Sequence, residues 1–294
     1  MPDVEYEGPI FRPPSEADSL ILQATIGCSY NECTFCGMYR HKRFRIRPFS
    51  ELQREIEWAR DQLGTVRKVF LADGDALVAK ASFLHRILDE LQTVFPELRR
   101  VSVYASPQSL RVRTEEEMRA LCEAGLTLYY LGVESGHDEV LASLRKGVDS
   151  AEMIACARKA VAAGVKLSTM ILLGAGGRAL SEEHAAASAH VLNAIQPRFV
   201  STLVMTPVEA TPLWEDDRRG DFDRLSPVEL ARELRTFIAG LRLDAAILRS
   251  NHASNYLALA GTLPKDKPRL LSALDAVVAA PDEAPFRPDW LRGL

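Results

Sequence analysis

Short apolar runs alternate with amphipathic segments along most of the chain. The short runs have the length of buried strands. They cover residues 19–26, 67–72, 101–105, 126–134, 165–173 and 199–205, with a shorter run at 245–248. Elsewhere, apolar positions recur at helical spacing over residues 50–63, 83–95, 114–124, 138–144, 151–163, 181–195, 226–241 and 270–279.

The strand-then-helix order repeats roughly six times. This order predicts an α/β fold in which parallel strands are joined by crossover helices. A closed or partial (β/α) barrel and an open doubly wound sheet both fit the pattern. In either architecture, ligands bind at the carboxyl ends of the strands.

Proline-rich segments flank this repeating pattern. Residues 1–17 contain four prolines and are predicted to form an irregular N-terminal arm. Residues 18–241 are predicted to form the barrel-type domain, and residues 242–294 a C-terminal extension that packs on or closes it. The part of this extension from residue 281 onward is expected to be extended, because proline recurs in it.

The composition is that of an ordinary globular protein, with 47% hydrophobic and 26% charged residues. The formal net charge of −4 gives no bulk attraction to nucleic acid, so a nucleic-acid partner is not expected. The N-terminus lacks the basic start and apolar core of a signal peptide, and no apolar run has the length of a membrane span. We therefore expect a cytoplasmic protein with no membrane partner.

Three of the five cysteines, Cys28, Cys33 and Cys36, lie within nine residues. In a reducing compartment such crowding favours metal binding over disulfides. Three thiolates can each bind one iron of a [4Fe–4S] cluster and leave the fourth iron open for another ligand. A zinc site with His41 as the fourth ligand, or purely structural thiols, are the alternatives. The other two cysteines fall in helical segments and are expected to be packing residues.

This loop resembles the cluster-binding signature of the radical S-adenosylmethionine (SAM) superfamily. In that family an aromatic residue usually precedes the third cysteine, and Phe35 occupies that position here. The common signature has three residues between the first two cysteines, whereas this chain has four. The resemblance covers most of residues 19–206 and implies a partial (β/α)6 TIM-like barrel with a C-terminal extension. It also implies a [4Fe–4S] cluster held by Cys28, Cys33 and Cys36, with SAM as the second cofactor.

Further segments, each near the end of a predicted strand, resemble the SAM-binding motifs of this family. Residues 72–75 (Ala-Asp-Gly-Asp) resemble the glycine-rich motif that contacts the SAM amino group, with Asp75 as an acceptor. Glu134 lies in a segment that resembles the ribose motif, and Lys146 falls where a basic residue meets the SAM carboxylate. Residues 172–177 lie where the family places backbone against adenine. The residues implied for cofactor binding are Phe35, Asp73, Gly74, Asp75, Ser106, Glu134, Ser135, Lys146, Leu173, Gly174 and Thr206.

The resemblance implies an enzyme that reductively cleaves SAM at the cluster. The resulting 5′-deoxyadenosyl radical would abstract a hydrogen atom from a small-molecule substrate, and a flavodoxin- or ferredoxin-type protein would donate the electron. The chain also resembles the short, single-domain proteins similar to oxygen-independent coproporphyrinogen III oxidase. Two alternatives stay open, namely transfer of a 3-amino-3-carboxypropyl group and a cluster-bearing redox or regulatory protein without SAM turnover. RNA methylthiotransferase chemistry is not expected, because two remaining cysteines are too few for a second cluster.

A polar run after the last predicted strand is a candidate substrate site. Asn251, His252 and Asn255 follow an apolar stretch and are predicted to face the carboxyl ends of the strands as catalytic residues. His252 could donate a proton near neutral pH, and the two asparagines could bind polar substrate atoms. The alternative is a capped turn in which Asn and Ser satisfy backbone groups. Tyr104, at the end of the third predicted strand, is a further catalytic candidate that could equally be a core residue.

Overall fold

The computed structural model describes residues 6–293, so the first five residues of the predicted arm and Leu294 lie outside the described residues. The strands are β1 (Leu20–Gln23), β2 (Thr25–Ile26), β3 (Arg45–Ile46), β4 (Lys68–Ala72), β5 (Arg100–Ala105), β6 (Leu126–Glu134), β7 (Lys166–Leu173), β8 (Phe199–Val204), β9 (Ala246–Ser250) and β10 (Leu259–Leu263). The α-helices are α1 (Phe49–Leu63), α2 (Ala81–Val94), α3 (Pro107–Val112), α4 (Glu115–Glu123), α5 (Asp138–Ser143), α6 (Ser150–Ala162), α7 (Ser181–Ile195), α8 (Pro212–Arg219), α9 (Pro227–Gly240) and α10 (Lys267–Ala279).

One eight-stranded sheet has the order β1-β4-β5-β6-β7-β8-β9-β10, and β2 pairs separately with β3. Parallel ladders join β1 to β4, β4 to β5, β5 to β6, β7 to β8 and β8 to β9, whereas β10 is antiparallel to β9. The order has two ends, β1 and β10, so the sheet is open. The predicted α/β class, with the mainly parallel sheet of a partial TIM-like barrel, is confirmed.

The first of two compact units comprises residues 6–31, 38–131 and 159–167. Residues 69–72 of β4 are all buried, as expected for a parallel strand covered on both faces. On α1 the buried residues are Leu52, Ile56 and Ala59, which share one face at helical spacing. A capping box starts α4, where Thr114 accepts a hydrogen bond from the Glu117 N–H.

The second unit comprises residues 32–37, 132–158 and 168–293. Its ladder between β7 and β8 runs from Ser168 paired with Phe199 to Leu173 paired with Val204. Helices α7 and α9 approach closely, because a methyl group at Gly240 would stand 2.8 Å from the Ala189 Cβ. This unit holds the carboxyl ends of β6, β7 and β8, where parallel strands collect ligands.

The structure departs from the predicted elements in a few places. The run at 19–26 is two strands, β1 and β2, rather than one. Helices α3 and α8 and strand β10 were not predicted, and residues 281–283 and 289–291 form 3₁₀ turns within the segment expected to be extended. The predicted domain boundaries after residues 17 and 241 stay a prediction. In the described part of the chain, every helix is too short or too polar to cross a membrane.

Candidate functional site

Cys28 lies in the first unit, two residues after β2 ends. Gly27 turns the backbone there with a φ of 77°, and its carbonyl accepts a 3.1 Å hydrogen bond from the Gly74 N–H. A methyl group at Gly74 would stand 3.0 Å from the Cys28 Cβ and 2.5 Å from a ring carbon of Tyr39. Glycine is therefore the residue that fits beside this partly exposed cysteine.

Asp73 is a fully buried carboxylate in the same unit. Its Oδ2 accepts hydrogen bonds from the Gln23 amide (3.0 Å), the Gly27 N–H (3.0 Å) and the Lys42 ammonium (2.9 Å). Its Oδ1 is buried and receives no hydrogen bond from any residue in the range 6–293. A buried carboxylate oxygen without a donor is an acceptor available to a bound ammonium group.

Asp75, which was predicted to accept from the SAM amino group, is also fully buried. Its carboxylate accepts hydrogen bonds from the hydroxyls of Ser29 (2.5 Å) and Ser106 (2.7 Å), and from the Ser106 N–H (3.1 Å). Burial raises the pKa of Asp75, and the hydrogen bond from Ser29 opposes that rise. Ser106 in turn caps α3 by accepting from the Ser109 N–H. The geometry thus ties Asp75 to the loops after β2 and β5.

The other two cysteines lie on residues 32–37, which belong to the second unit. Backbone hydrogen bonds hold this segment on both sides. The Thr34 N–H donates to the Leu144 carbonyl (3.0 Å), and the Thr34 carbonyl accepts from the Leu213 N–H (3.1 Å). The segment is therefore fixed between the end of α5 and the start of α8.

Cys33 and Cys36 are both partly exposed. Burial raises the pKa of the Cys33 thiol, and the ammonium of Lys146 opposes that rise. Phe35 packs against an apolar cluster that includes Leu172. Within residues 6–293, no group of three or more His, Cys, Asp or Glu side chains is arranged to hold a metal ion. The role of Cys28, Cys33 and Cys36 as cluster ligands stays a prediction.

Glu134 and Lys146 form an ion pair of 3.0 Å with about one tenth of each side chain exposed. Glu134 ends β6 with a φ of 64°, in the left-handed region that a side-chain-bearing residue rarely adopts. A methyl group at Gly132 would stand 2.0 Å from the Glu134 carboxylate, so a larger residue there would displace this carboxylate. The structure thus brings together two of the residues that were predicted to bind SAM.

A buried polar network that was not predicted follows these residues in the second unit. The Ser135 hydroxyl lies 2.8 Å from Nδ1 of His184, whose Nε2 lies 3.1 Å from the Leu172 carbonyl. These partners indicate that Nε2 carries the proton and that Ser135 donates to Nδ1. Burial lowers the pKa of His184 to about 4, so the ring is neutral at pH 7.

Glu233 on α9 lies beside this network, with its Oε1 3.7 Å from Nε2 of His184. It accepts hydrogen bonds from the Gly174 N–H (2.6 Å) and the Ser181 hydroxyl (2.5 Å). Burial raises the pKa of Glu233 to about 7, and the bond from Ser181 opposes that rise. The network therefore ties the loops after β6 and β7, which carry Ser135 and Gly174, to helices α7 and α9.

The remaining residues predicted to bind the cofactor lie at the ends of β7 and β8. The Leu173 carbonyl accepts from the Met205 N–H at 2.8 Å, and Gly174 follows with a φ of 80°. The Thr206 hydroxyl lies 3.4 Å from the Val204 carbonyl. These contacts stabilise the backbone at the carboxyl edge of the second unit. A role of these residues in binding SAM stays a prediction.

The polar run after β9 forms a tight turn. The buried Asn255 amide donates to the Thr202 carbonyl (2.7 Å) and accepts from the Val204 N–H (2.9 Å). Nδ1 of the half-buried His252 accepts from the Ser254 N–H at 3.1 Å. Burial and then the nearby Arg287 lower the pKa of His252. These bonds are those of the capped-turn alternative, and the catalytic roles of His252 and Asn255 stay predictions.

Asn251 and Tyr104 are the other two catalytic candidates. Asn251 is exposed. Tyr104 is partly buried in the first unit and packs edge-to-face against Phe70 and Tyr130, with ring centroids 5.0 and 6.0 Å away. This packing is typical of a core aromatic residue.

The comparisons with known proteins identify the family. Residues 22–185, more than half of the 294, match the model of the radical SAM superfamily. No curated protein matches the chain. Among solved structures, it is similar to methylornithine synthase (PylB), with 17% identity and a TM-score of 0.54 over 76% of this chain and 63% of that one.

Two further structures share the fold. The cobalamin-dependent SAM radical enzyme OxsB, with aqua-cobalamin and SAM bound, gives 15% identity and a TM-score of 0.58 over 89% of this chain and 46% of that one. Coproporphyrinogen III oxidase (HemN) from Escherichia coli gives 16% identity and a TM-score of 0.53 over 75% and 52%. The chain thus spans less than two thirds of the length of each of these structures. It belongs to the radical SAM superfamily and is an enzyme whose cofactors are a [4Fe–4S] cluster and SAM.

Proposed function

We propose that this enzyme reductively cleaves SAM to methionine and a 5′-deoxyadenosyl radical, which removes a hydrogen atom from a small-molecule substrate. The observation that carries the proposal is the loop with Cys28, Cys33 and Cys36, within the segment that matches the family. In this mechanism the bound cluster supplies one electron that breaks a carbon–sulfur bond of SAM. Cys28, Cys33 and Cys36 are the residues that would hold the cluster.

The residues present fit this cofactor pair. Three partly exposed thiols are a soft donor set that suits iron–sulfur clusters and leaves one iron for SAM. Gly74, beside Cys28, is a position where added side-chain atoms would collide with Tyr39, and glycine lets a ligand approach the backbone. The buried Oδ1 of Asp73 lacks a donor within residues 6–293, and a SAM ammonium group would supply one.

Glu134 and Lys146 are proposed to hold the polar ends of SAM. Their side chains form an ion pair with each other, and chemically a carboxylate accepts hydrogen bonds whereas an ammonium group donates them. Glu134 would accept from ribose hydroxyls, and Lys146 would donate to the SAM carboxylate. Burial raises the pKa of the Cys33 thiol, and the ammonium of Lys146 opposes that rise.

The test is anaerobic reconstitution with iron and sulfide, followed by addition of SAM and dithionite and mass spectrometry of the nucleoside product. 5′-Deoxyadenosine is expected from the native enzyme, because the radical takes a hydrogen atom even without the native substrate. Cys33→Ala should abolish it, whereas Cys122→Ala, a matched cysteine change outside the loop, should retain it. Methylthioadenosine instead would favour aminocarboxypropyl transfer. A cluster-loaded enzyme that yields no nucleoside would favour a redox or regulatory protein.

The proposal extends to partners and location. We propose a flavodoxin- or ferredoxin-type electron donor and a cytoplasmic location, where such reductants are available. The net charge of −4 and pI of about 5.9 support a small-molecule substrate rather than a nucleic acid.

A further inference from the structure

Helix α9 contacts the backbone that follows β7 in the second unit, although it lies beyond residues 22–185, which match the family. Leu230 and Glu233 are three residues apart on α9, so they lie on one face of the helix. A methyl group at Gly174 would stand 3.2 Å from a methyl carbon of Leu230, and the Gly174 N–H donates to Glu233 at 2.6 Å. This face of α9 therefore packs directly against Gly174.

The buried Gly174 N–H needs an acceptor outside the sheet. The ladder between β7 and β8 ends at the pair of Leu173 with Val204, and Gly174 then turns away with a φ of 80°. Three of the four residues 174–177 are glycine, so the backbone there has many accessible conformations. The hydrogen bond to Glu233 selects one of them at the first residue of this loop.

Glu233 is a costly residue to bury at this position. Its side chain is fully buried, and within residues 6–293 the donors to its carboxyl group are neutral, namely the Gly174 N–H and the Ser181 hydroxyl. Nε2 of His184, at 3.7 Å from Oε1, is beyond hydrogen-bonding distance. An apolar side chain would avoid the cost of burying a carboxyl group, but it could not accept from Gly174. The carboxyl group thus serves the backbone of this loop.

His184 on α7 fixes the neighbouring loop after β6 in a similar way. The buried Ser135, which directly follows Glu134, has its hydroxyl 2.8 Å from Nδ1 of His184, and this hydroxyl accepts from the His137 N–H at 3.0 Å. Nε2 of His184 lies 3.1 Å from the Leu172 carbonyl on β7. Helices α7 and α9 therefore hold the two loops whose residues were predicted to contact the ribose and the adenine of SAM.

We propose that Glu233 is a positioning residue for SAM, whose carboxyl group fixes the Gly174 backbone in the conformation that receives the adenosine part of the cofactor. The proposal rests on the proposed function, in which the backbone after β7 contacts SAM. Glu233 acts through Gly174 and does not itself touch the cofactor. At metal sites, residues that hold a ligand from behind change affinity by about tenfold to a hundredfold, and the lower end of this range is expected for a single backbone contact.

The test measures SAM affinity by equilibrium dialysis, and deuterium exchange of the Gly174 amide by mass spectrometry, in the cluster-reconstituted, unreduced enzyme. Glu233→Leu removes the acceptor, so the Kd for SAM should rise about tenfold and the amide should exchange at least about tenfold faster. Glu233→Gln restores an acceptor of the same length and should recover most of both losses. Glu183→Leu, the same change at an exposed residue of α7, should leave both quantities unchanged.

Unchanged SAM affinity in Glu233→Leu, or the same loss in Glu233→Gln or Glu183→Leu, would overturn the proposal. Glu233→Asp keeps the carboxyl group but shortens the side chain by one methylene, so it should weaken SAM binding several-fold even if Glu233→Leu does not fold. Unchanged affinity in Glu233→Asp would then count against the role. A native enzyme that binds no SAM would reject the proposed function and this role with it, whereas native binding that Glu233→Leu leaves unchanged would reject the positioning role alone.

Discussion

Lys42 is a buried cation whose replacement by methionine should destabilise the first unit strongly. Its side chain is 2% exposed and donates to Asp73 at 2.9 Å and to the Pro9 carbonyl at 2.8 Å. Methionine keeps the apolar stem but removes the charge, so the buried Asp73 carboxylate loses its cationic partner. It then accepts hydrogen bonds from two neutral donors, the Gln23 amide and the Gly27 N–H.

The expected cost follows from that uncompensated charge. Removing one partner of a buried ion pair typically costs about 3–5 kcal/mol, against a total free energy of unfolding of about 5–15 kcal/mol. Arg45→Met, three residues further on, is the matched control. Arg45 pairs with Glu7, but both side chains are about half exposed (53% and 49%), so its loss should cost about 1 kcal/mol or less. The double variant Lys42→Met/Asp73→Asn should recover part of the loss, because no buried charge remains.

The assay is urea unfolding followed by fluorescence of Trp58, which lies on α1 in the same unit. Trp214 and Trp290 would be replaced by phenylalanine in every variant, so that the fluorescence reports on the first unit alone. The reasoning is refuted if Lys42→Met lowers the free energy of unfolding no more than Arg45→Met does. It is also refuted if the double variant is no more stable than Lys42→Met alone.

Three further outcomes are expected. Gly74→Ala should lower the iron content after reconstitution several-fold, because the added methyl would stand 2.5 Å from Tyr39. The control Gly64→Ala has open space around the added methyl and should lose only about 1 kcal/mol of stability for its positive φ. Equal iron contents in the two variants would contradict this prediction. The folded-state pKa of Glu233 is raised from 4.5 to about 7, so its contribution to stability is full below pH 4.5 and is lost by pH 7. Glu233→Gln should therefore gain about 3 kcal/mol relative to the native enzyme between those pH values, measured by urea unfolding, and a pH-independent difference would refute it. Glu134→Gln should weaken SAM binding about tenfold in equilibrium dialysis of the unreduced enzyme, because a neutral amide accepts hydrogen bonds from ribose hydroxyls less strongly than a carboxylate does. An unchanged affinity for SAM would exclude Glu134 from the ribose contact.

The regular elements were predictable where the pattern of apolar residues is long or strongly periodic. The nine-residue β6 and the fifteen-residue α7 are such cases. Helix α3 was missed because it has only six residues and starts with Pro107, held by the Ser106–Ser109 capping pair. Strand β10 was missed because it contains a glycine and is largely not fully buried.

The site was predictable to the extent that its residues lie in local motifs at strand ends. The cysteine loop and the segments around Gly74 and Glu134 are such motifs. No sequence motif marks His184 or Glu233, because each lies within an amphipathic helix with no recognisable pattern of polar neighbours. The two residues come together only through the packing of α7 against α9. The ion pair of Lys42 with Asp73 likewise joins residues 31 positions apart.

The backbone hydrogen bonds around Thr34 bear on how the cluster is assembled. Both the bond to Leu144 and the bond from Leu213 join backbone groups, so neither uses a cysteine thiolate. Fixing one residue of a disordered loop costs roughly 1–2 kcal/mol of conformational entropy, so a loop already held at its middle spares part of that cost when metal arrives. The amides of Thr34 and Leu213 should accordingly exchange slowly with deuterium in the iron-free protein. The cluster would then bind to a loop whose backbone is ordered before the metal arrives.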